Sequence, residues 1–467
     1  MKKKFSRVLS TVLAVCLTAA IAIPALADGN STLSELFRGV TVYVDGAKVE
    51  PKNAAGEPAE PFIVDNSTYL PARAISDALG AEISWDEATY NVYIDTLKAD
   101  PKAAEYLTEY FEIEAMTGTV SAETYTAALT AVFGEDAVAM TGTTLVDAVK
   151  ATVENCGLKA VAAAYTAEIA TASTNGVKGV SEADAAAVAA ALDAAVASGT
   201  WDYAAELDGE TATQLLMNAV NFAGMGRNYL GNISDTDISA KLTAAFGAFY
   251  DFHDLNNESI ANLWKLGETI VDRKATTGFG LCSSDYDAKF LNKYTVQYSH
   301  SDIDHAVQLV TIMKSLGIDA KVALEPKVSI YLWDGHLNAG MEYNLRFEFN
   351  SVEDKDAFHA QTVNYVSRTI ENNPVTPIKG AWITPCYNSY VEVEDFVHIY
   401  DNVITCGKYS LHPFSLPDNV ESVTTVVNEV AAEFNANAAE GADQIVTEVK
   451  DLWCNAAFFR YLGGENQ

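Results

Sequence analysis

Residues 40–49 read Val-Thr-Val-Tyr-Val-Asp-Gly-Ala-Lys-Val, and this stretch decides the fold of the N-terminal region. The side chains alternate in strand fashion up to Asp45-Gly46, a dipeptide that favours the tight turn of a β-hairpin. The chain then returns through Val49. The stretch therefore predicts two short antiparallel strands.

The pattern continues with further strands and a single helix. Residues 61–70 read as strand, turn and strand. Pro71 stands where a helix can begin, and apolar residues recur at helical spacing until Gly80. Residues 82–94 form the last predicted hairpin. Together these elements predict a compact β-rich module with one helix.

These motifs resemble the copper amine oxidase N-terminal-like, or stalk, domain, which is widespread in secreted proteins of Gram-positive bacteria. The resemblance is carried by Val44-Asp45-Gly46, Tyr69-Leu70-Pro71-Ala72-Arg73-Ala74-Ile75, Ala78-Leu79-Gly80, Ser84-Trp85-Asp86 and Val92-Tyr93-Ile94. In oxidases this domain lies away from the copper and quinone site, so the resemblance implies a spacer or adhesion module over residues 36–96, or a folding unit without a partner. Redox copper normally needs imidazole or thiolate ligands. The module contains neither, so we predict no cofactor for it.

Net charge limits the partners of the chain. The 467 residues carry a formal charge of −33. Nucleic-acid binding requires a cationic surface, and an anionic membrane surface repels an acidic protein, so neither partner is predicted. With 49% hydrophobic residues the chain is too apolar for a disordered polyanion. Its length predicts several folded domains.

Residues 1–27 have the pattern of a secretory signal peptide. A basic start is followed by an apolar stretch, Pro24 and a small-residue ending that predicts cleavage after Ala27. A retained transmembrane anchor and lipid attachment at Cys16 are the alternatives. No later segment is apolar enough to span a membrane. We therefore expect a secreted or cell-surface protein.

Five cysteines follow the leader: Cys156, Cys282, Cys386, Cys406 and Cys454. The number is odd, so at least one thiol is free or pairs between chains. No Cys-x-x-Cys pair occurs, which argues against a zinc or thioredoxin-like site. We expect most of these thiols to be buried and inert.

Residues 101–252 change to helical periodicity and are rich in alanine, most of all at 183–197. Two stretches, which begin at Gly118 and Val180, resemble degenerate S-layer homology repeats. Intact repeats bind pyruvylated cell-wall polysaccharide through a basic residue after a threonine, and neither stretch has that arginine. The resemblance leaves two interpretations, a wall-binding region and an ordinary helical domain.

Residues 253–467 contain all seven histidines and four of the five cysteines, so any chemistry is expected there. Strands and helices between residues 294 and 404 follow a β-α-β-β-α-β order, which is compatible with a ferredoxin-like or related α+β sandwich. Two final helices are predicted at 423–434 and 445–462. The predicted fold class of the whole chain is multi-domain α+β.

The densest cluster of candidate ligands is His300-Ser301-Asp302-Ile303-Asp304-His305. A metal bound by His300, Asp302 and His305 is one interpretation. However, paired ligands on a helix are four residues apart, and these histidines are five apart. The other interpretation is helix capping by Ser301 and Asp304, with Asp302 favoured by the helix dipole.

Residues 304–322 resemble the core helix of transglutaminase-like proteins, in which a nucleophilic cysteine opens the helix. Asp302 occupies that position here, so the resemblance implies an inactive relative that binds peptides. A cysteine enzyme then requires Cys282 to meet an imidazole, with His305 and His336 as the candidates.

The sequence thus favours a non-catalytic, secreted or wall-associated protein in which a stalk module carries a binding domain. Cell-wall polysaccharide or an extracellular peptide or protein is the expected partner. The alternative is a cysteine or acid-base hydrolase or transferase in the C-terminal half. The environment of residue 282 separates the two hypotheses.

Overall fold

The computed structural model describes residues 36–246, 254, 256–362 and 386–464, except for residues 45–46, 54–55, 65–66, 80, 87–90, 96 and 98. The predicted leader lies outside the described residues. The chain divides into two compact units, Met1–Lys98 and Ala99–Gln467. The predicted helical region and the predicted α+β region both belong to the second unit.

In its described residues, the first unit consists of short antiparallel strand pairs and one helix, as predicted for residues 36–96. Its elements are β1 Leu36–Phe37, β2 Val42–Val44, β3 Ala47–Val49, β4 Phe62–Val64, β5 Ser67–Tyr69, α1 Ala72–Leu79, β6 Glu82–Asp86 and β7 Asn91–Asp95. Strands β2 and β3 pair across residues 45–46, and β6 pairs with β7. Strand β4 pairs with both β1 and β5.

The second unit begins with a helical layer. Its helices are α2 Ala103–Phe111, α3 Ala122–Phe133, α4 Leu145–Asn155, α5 Lys159–Ala164, α6 Ala167–Ser173, α7 Ala185–Asp193 and α8 Gly209–Phe222. Side-chain caps fix where several of these helices begin. Ser121 accepts a hydrogen bond from the Thr124 N–H at the start of α3, and Asp208 accepts one from the Thr211 N–H at the start of α8. Buried side chains such as Tyr125, Tyr203 and Leu215 form the core of the layer.

The alanine-rich helix is shorter than the predicted 183–197. It begins after Asp184 rather than Ser181 and ends at Asp193. The Asp184 carboxylate accepts from the Ser181 hydroxyl at 2.6 Å and from Lys150 Nζ at 3.0 Å. This ion pair joins α7 to α4, so a tertiary contact helps to set the boundary.

The rest of the second unit is built from ten strands and six helices among the described residues. The strands are β8 Gly231–Asn232, β9 Gly278–Ser283, β10 Thr295–His300, β11 Ala320–Trp333, β12 His336–Phe349, β13 Cys386–Ser389, β14 Val397–Cys406, β15 Tyr409–His412, β16 Phe414–Ser415 and β17 Ile445–Cys454. The helices are α9 Ile238–Phe246, α10 Glu258–Asp272, α11 Ile303–Ser315, α12 Val352–Thr362, α13 Val420–Ala436 and α14 Ala456–Leu462.

Eight of these strands close into an antiparallel barrel. The order is β12-β10-β13-β17-β14-β15-β9-β11, and β11 pairs again with β12. The two longest strands, β11 and β12, pair from Ala320 opposite Phe349 to Trp333 opposite His336. Because β11 also pairs with β9 on its other edge, the sheet has no free end among these eight strands.

Apolar residues on the outside of the barrel are covered by helices. Helices α9, α11 and α12 pack against β10, β11 and β12 around Leu309, Leu324 and Phe347. On the other side, α10 and α13 pack against β9, β14 and β15. Gly267 of α10 lies so close to Phe279 that a Cβ there would be 2.3 Å from the ring. The main apolar cores therefore lie outside the barrel wall.

Two predictions for this region were wrong. The strands do not form a ferredoxin-like sandwich, because the sheet continues past β13 and closes on itself. Residues 445–454 are a strand instead of part of a helix, and β17 pairs with β14 along its whole length. Apolar residues at 445, 449 and 452 fit helical spacing, but the ten-residue ladder satisfies the backbone and overrides that local preference.

Within the described parts of the chain, no helix combines the length and the apolar character needed to cross a bilayer. All five cysteines after the predicted leader are free thiols in the structure. Cys386, Cys406 and Cys454 are buried, whereas Cys156 and Cys282 are partly exposed.

Candidate functional site

The interior of the barrel is a polar cavity of about 1780 Å³, lined by residues of all eight strands. Side chains alternate along a strand, and here the apolar positions face the helices while polar positions face inward. Amides and hydroxyls line much of the cavity, among them Gln297, Ser299, Ser329, Asn344, Asn388 and Ser410. A filled barrel core would exclude a ligand, so this interior is the main candidate site.

The cavity contains two opposite charge pairs. Arg346 Nε donates to Glu325 Oε2 at 2.8 Å, and Lys327 Nζ lies 3.4 Å from Glu342 Oε2. Burial raises the pKa of Glu325, and the Arg346 guanidinium opposes this effect. Other acidic residues, among them Asp287 and Asp334, also line the cavity.

Carboxylates of the barrel also hold the segment that follows β9. Glu325 Oε1 accepts from the Ala288 N–H at 2.8 Å, and Glu348 Oε2 accepts from the Leu291 N–H at 2.9 Å. Glu348 is fully buried and pairs with Arg227 of the helical layer at 2.8 Å. These contacts tie the segment and the helical layer to the barrel.

The strands β9, β14 and β15 bring a thiol, an imidazole and a carboxylate together on the cavity wall. Cys282 and Ser410 are directly opposite each other on paired strands. His412 lies two residues after Ser410 and so projects from the same face. His412 Nδ1 is 3.0 Å from Asp401 Oδ2, and its Nε2 is 2.8 Å from Ser410 Oγ. Cys282 lies on the same face and also helps to raise the pKa of His412.

The charge of His412 follows from its neighbours. Burial lowers its pKa, but the Asp401 carboxylate and Cys282 outweigh that effect and raise the pKa to about 10. The ring is therefore an imidazolium at neutral pH. Tyr390 Oη donates to Asp401 Oδ2 at 2.9 Å. Burial, assisted by Asp401, holds the pKa of Tyr390 well above its usual range, so this phenol remains a donor.

Three residues were predicted as a catalytic team, and the structure places them in different environments. Cys282 lies on the cavity wall, where the imidazole beside it belongs to His412. His305 is buried in α11, with Nδ1 3.2 Å from Tyr298 Oη. His336 is exposed at the tip of the β11–β12 hairpin.

The predicted metal candidates have other roles in the structure. The Asp302 carboxylate caps α11 by accepting from the Asp304 N–H at 3.0 Å, so Asp302 is the cap and not Ser301. His300 Nδ1 accepts from the Asp302 N–H at 2.9 Å. The rings of His300 and His305 stack with centroids 3.9 Å apart. Among the described residues, no three acidic, histidine or cysteine side chains are grouped as metal ligands.

His300 leaves one buried polar atom without a partner. Burial, with the neighbouring His305, lowers the pKa of His300 to about 4, so the ring is neutral. Its Nδ1 accepts a hydrogen bond, which places the proton on Nε2. Within the described residues, Nε2 is buried and has no acceptor. His300 is also one of the residues that line the cavity, although this nitrogen is buried.

Sequence reasoning missed His412 and Asp401. Ser410 and His412 alternate on a strand that follows the Gly407 turn, which was a local signal that they share a face. The pairing of that strand with β9 connects distant parts of the chain. No local pattern reveals such a pairing.

Comparison with known proteins identifies only the first module. Residues 38–94 match the family model of the copper amine oxidase N-terminal domain. This match confirms the predicted resemblance and concerns that module, not the rest of the chain. The S-layer-like character of the middle region stays a prediction. No curated protein and no solved structure matches the chain.

Proposed function

We propose that the chain is an exported bacterial surface protein whose barrel binds a neutral, hydroxyl-rich ligand, of which a cell-wall saccharide is the representative. The observation that carries the proposal is the open polar interior of the barrel. Ligand sites are usually concave and place a few polar groups for recognition. Here polar groups from all eight strands surround one cavity.

The size and charge of the cavity support this ligand class. Its volume of about 1780 Å³ exceeds the roughly 300–1,000 Å³ that is common for small-molecule sites. Several linked sugar units fill such a space better than a single small metabolite. Two ion pairs, Arg346–Glu325 and Lys327–Glu342, neutralise part of the interior charge, and hydroxyl and amide groups on the wall supply contacts for the ligand.

In this proposal the N-terminal module is a spacer between the cell surface and the barrel. Residues 38–94 match a domain family that lies away from the catalytic site in oxidases, which supports a spacer role. Export rests on the signal-peptide pattern of residues 1–27. Mass spectrometry of protein recovered from the culture medium should find Asp28 at the amino terminus. An intact Met1 on protein found only inside the cell contradicts export.

Binding is tested by titration calorimetry with chitotriose and cellotriose as neutral probes and with pentalysine and pentaglutamate as charged ones. We expect saturable heat with at least one saccharide and none with the charged peptides. Replacement of Asn388, a buried cavity residue, by alanine removes a hydrogen-bonding group. This loss of about 0.5–1.5 kcal/mol should weaken binding about 2- to 10-fold.

Asn437→Ala is the matched control, because Asn437 is exposed at the end of α13. The affinity of the Asn437→Ala variant for the saccharide should equal that of the unmodified chain. The proposal fails if neither saccharide binds or if only a charged peptide does. It also fails if Asn388→Ala and Asn437→Ala have the same affinity.

A further inference from the structure

A thiol and an imidazole lie diagonally across from each other on two paired strands of the barrel. A buried carboxylate contacts the imidazole on its other side. The register sets Cys282 opposite Ser410, which places His412 diagonally across from Cys282 on the same face. Asp401 is fully buried and lies 3.0 Å from His412 Nδ1. Tyr390 in turn donates to the Asp401 carboxylate. This chain of contacts fixes the orientation of the ring independently of any charge argument.

We propose that Cys282 and His412 are catalytic residues of a thiol-dependent acyl-transfer or hydrolysis site inside the barrel, with Asp401 and Tyr390 as positioning residues. The substrate class is an ester or amide carried by the ligand that enters the cavity. The proposal rests on the barrel interior as the binding site.

The chemistry requires no component beyond the substrate and water. The imidazolium of His412 favours the thiolate of Cys282. The sulfur attacks the carbonyl carbon, a C–S bond forms, and the bond to the leaving group breaks as His412 gives that group its proton. Neutral His412 then takes a proton from water, the hydroxide attacks the thioester carbonyl, and the C–S bond breaks. The thiolate and imidazolium are restored, and the products are an acid and an alcohol or amine.

Ser410 is the rival nucleophile, because its Oγ is 2.8 Å from His412 Nε2. A serine hydroxyl needs a neutral imidazole to take its proton. Burial, Asp401 and Cys282 give His412 a pKa of about 10, so the ring is already protonated at neutral pH. An imidazolium suits a thiolate instead. We therefore assign Cys282 as the nucleophile and Ser410 as a hydrogen-bond partner of the ring.

Alkylation of the folded, unmodified chain tests the thiol without a known substrate. The chain is treated with limiting iodoacetamide, and the rate at each cysteine is obtained by peptide mapping. Cys156 is the internal control, because it is also partly exposed and burial raises its pKa to about 11. At pH 7 we expect Cys282 to react at least about tenfold faster in the unmodified chain than in His412→Asn, while the rate at Cys156 is the same in both. An equal or slower rate at Cys282 in the unmodified chain overturns the proposal.

The role of His412 is tested by the pH profile. In the unmodified chain the alkylation rate of Cys282 should depend less steeply on pH than in His412→Asn, since an imidazolium accompanies the thiolate. In His412→Asn the rate should rise about tenfold for each pH unit, as for an isolated thiol. A merely structural role for His412 leaves the shape of the profile unchanged, and that result contradicts the proposal.

Acylation by an activated ester shows whether Cys282 or Ser410 is the nucleophile. Incubation with p-nitrophenyl acetate should add the mass of one acetyl group to Cys282 in the unmodified chain and in Ser410→Ala. Cys282→Ala should remove this adduct. If the adduct survives Cys282→Ala and disappears in Ser410→Ala, the assignment is wrong. The saccharide titration repeated with Cys282→Ala measures binding alone, so a failure of catalysis is distinguishable from a failure of the proposed binding function.

Discussion

Replacement of His412 by asparagine should remove a large, pH-dependent contribution to stability. In the folded protein burial lowers the pKa of His412, but Asp401 and Cys282 raise it overall from the ordinary 6.5 to about 10. In the unfolded chain this histidine returns to about 6.5. The folded state therefore binds the extra proton between these two values, and protein stability falls as pH rises through this window.

The magnitude follows from the proton linkage. Each pH unit in which only the folded state is protonated changes the unfolding free energy by about 1.4 kcal/mol. The interaction is then fully present below about pH 6.5, and it contributes up to about 5 kcal/mol as an order-of-magnitude upper bound. The His412 side chain is only 21% exposed, so solvent screens the pair weakly. Most of the contribution is lost by about pH 10.

Urea unfolding, followed by tryptophan fluorescence at several pH values between about 6 and 9.5, measures the effect. Other groups titrate in the same range, so the informative quantity is the gap in stability between the unmodified chain and His412→Asn. This gap should be largest near pH 6 and should narrow as pH rises. His398→Asn is the control, because His398 pairs with Asp451 at the surface, and its gap should stay below about 1 kcal/mol.

A gap between the unmodified chain and His412→Asn that stays constant across this pH range refutes the reasoning. Such a result would mean that His412 carries no extra proton in the folded protein. The charged imidazole assumed for the thiol site would then be absent as well.

Two further substitutions test buried contacts within the second unit. The loss of unfolding free energy is measured for each by urea unfolding. Arg227→Met removes the guanidinium beside the fully buried Glu348 carboxylate, which keeps Lys321 Nζ at 3.3 Å, and should cost about 1.5–3 kcal/mol; Arg273→Met, which breaks a surface pair, should cost less than about 1 kcal/mol. Equal losses for the two arginines would contradict the buried network. Gly267→Ala forces a methyl group into the ring beneath it and should cost about 1–3 kcal/mol. Gly199→Ala meets open space, so a loss as large as that of Gly267→Ala would argue against close packing of α10 on β9.

The local elements of the first module were predictable because each depends on neighbours in the chain. The pairing of β2 with β3, the helix start after Pro71 and the strand pair predicted at 82–94 appear in the structure. Helices α3 and α4 likewise have their caps within a few residues of their starts. Turn chemistry and capping act over short sequence distances, so sequence patterns report them well.

The candidate site was only partly predictable. Cys282 was singled out as a thiol that needed an imidazole, and the structure supplies one, but from His412. His305 and His336 were the candidates for that imidazole. The burial of His305 in the core of α11 follows from packing that the sequence does not express. Likewise, helical spacing in residues 445–454 competes with strand pairing, and only the partner strand β14 decides between them.

The N-terminal module, most of the helical layer and the strongly acidic character of the chain follow from the sequence alone. Those features arise from turns, caps, periodicity and composition, which are properties of adjacent residues. Long-range packing was needed to close the sheet into a barrel, to point its polar faces inward, and to bring Cys282 to the same face as His412, which Asp401 contacts. Closure depends on pairings such as β9 with β11 and β15, whose free energy comes from contacts between distant segments.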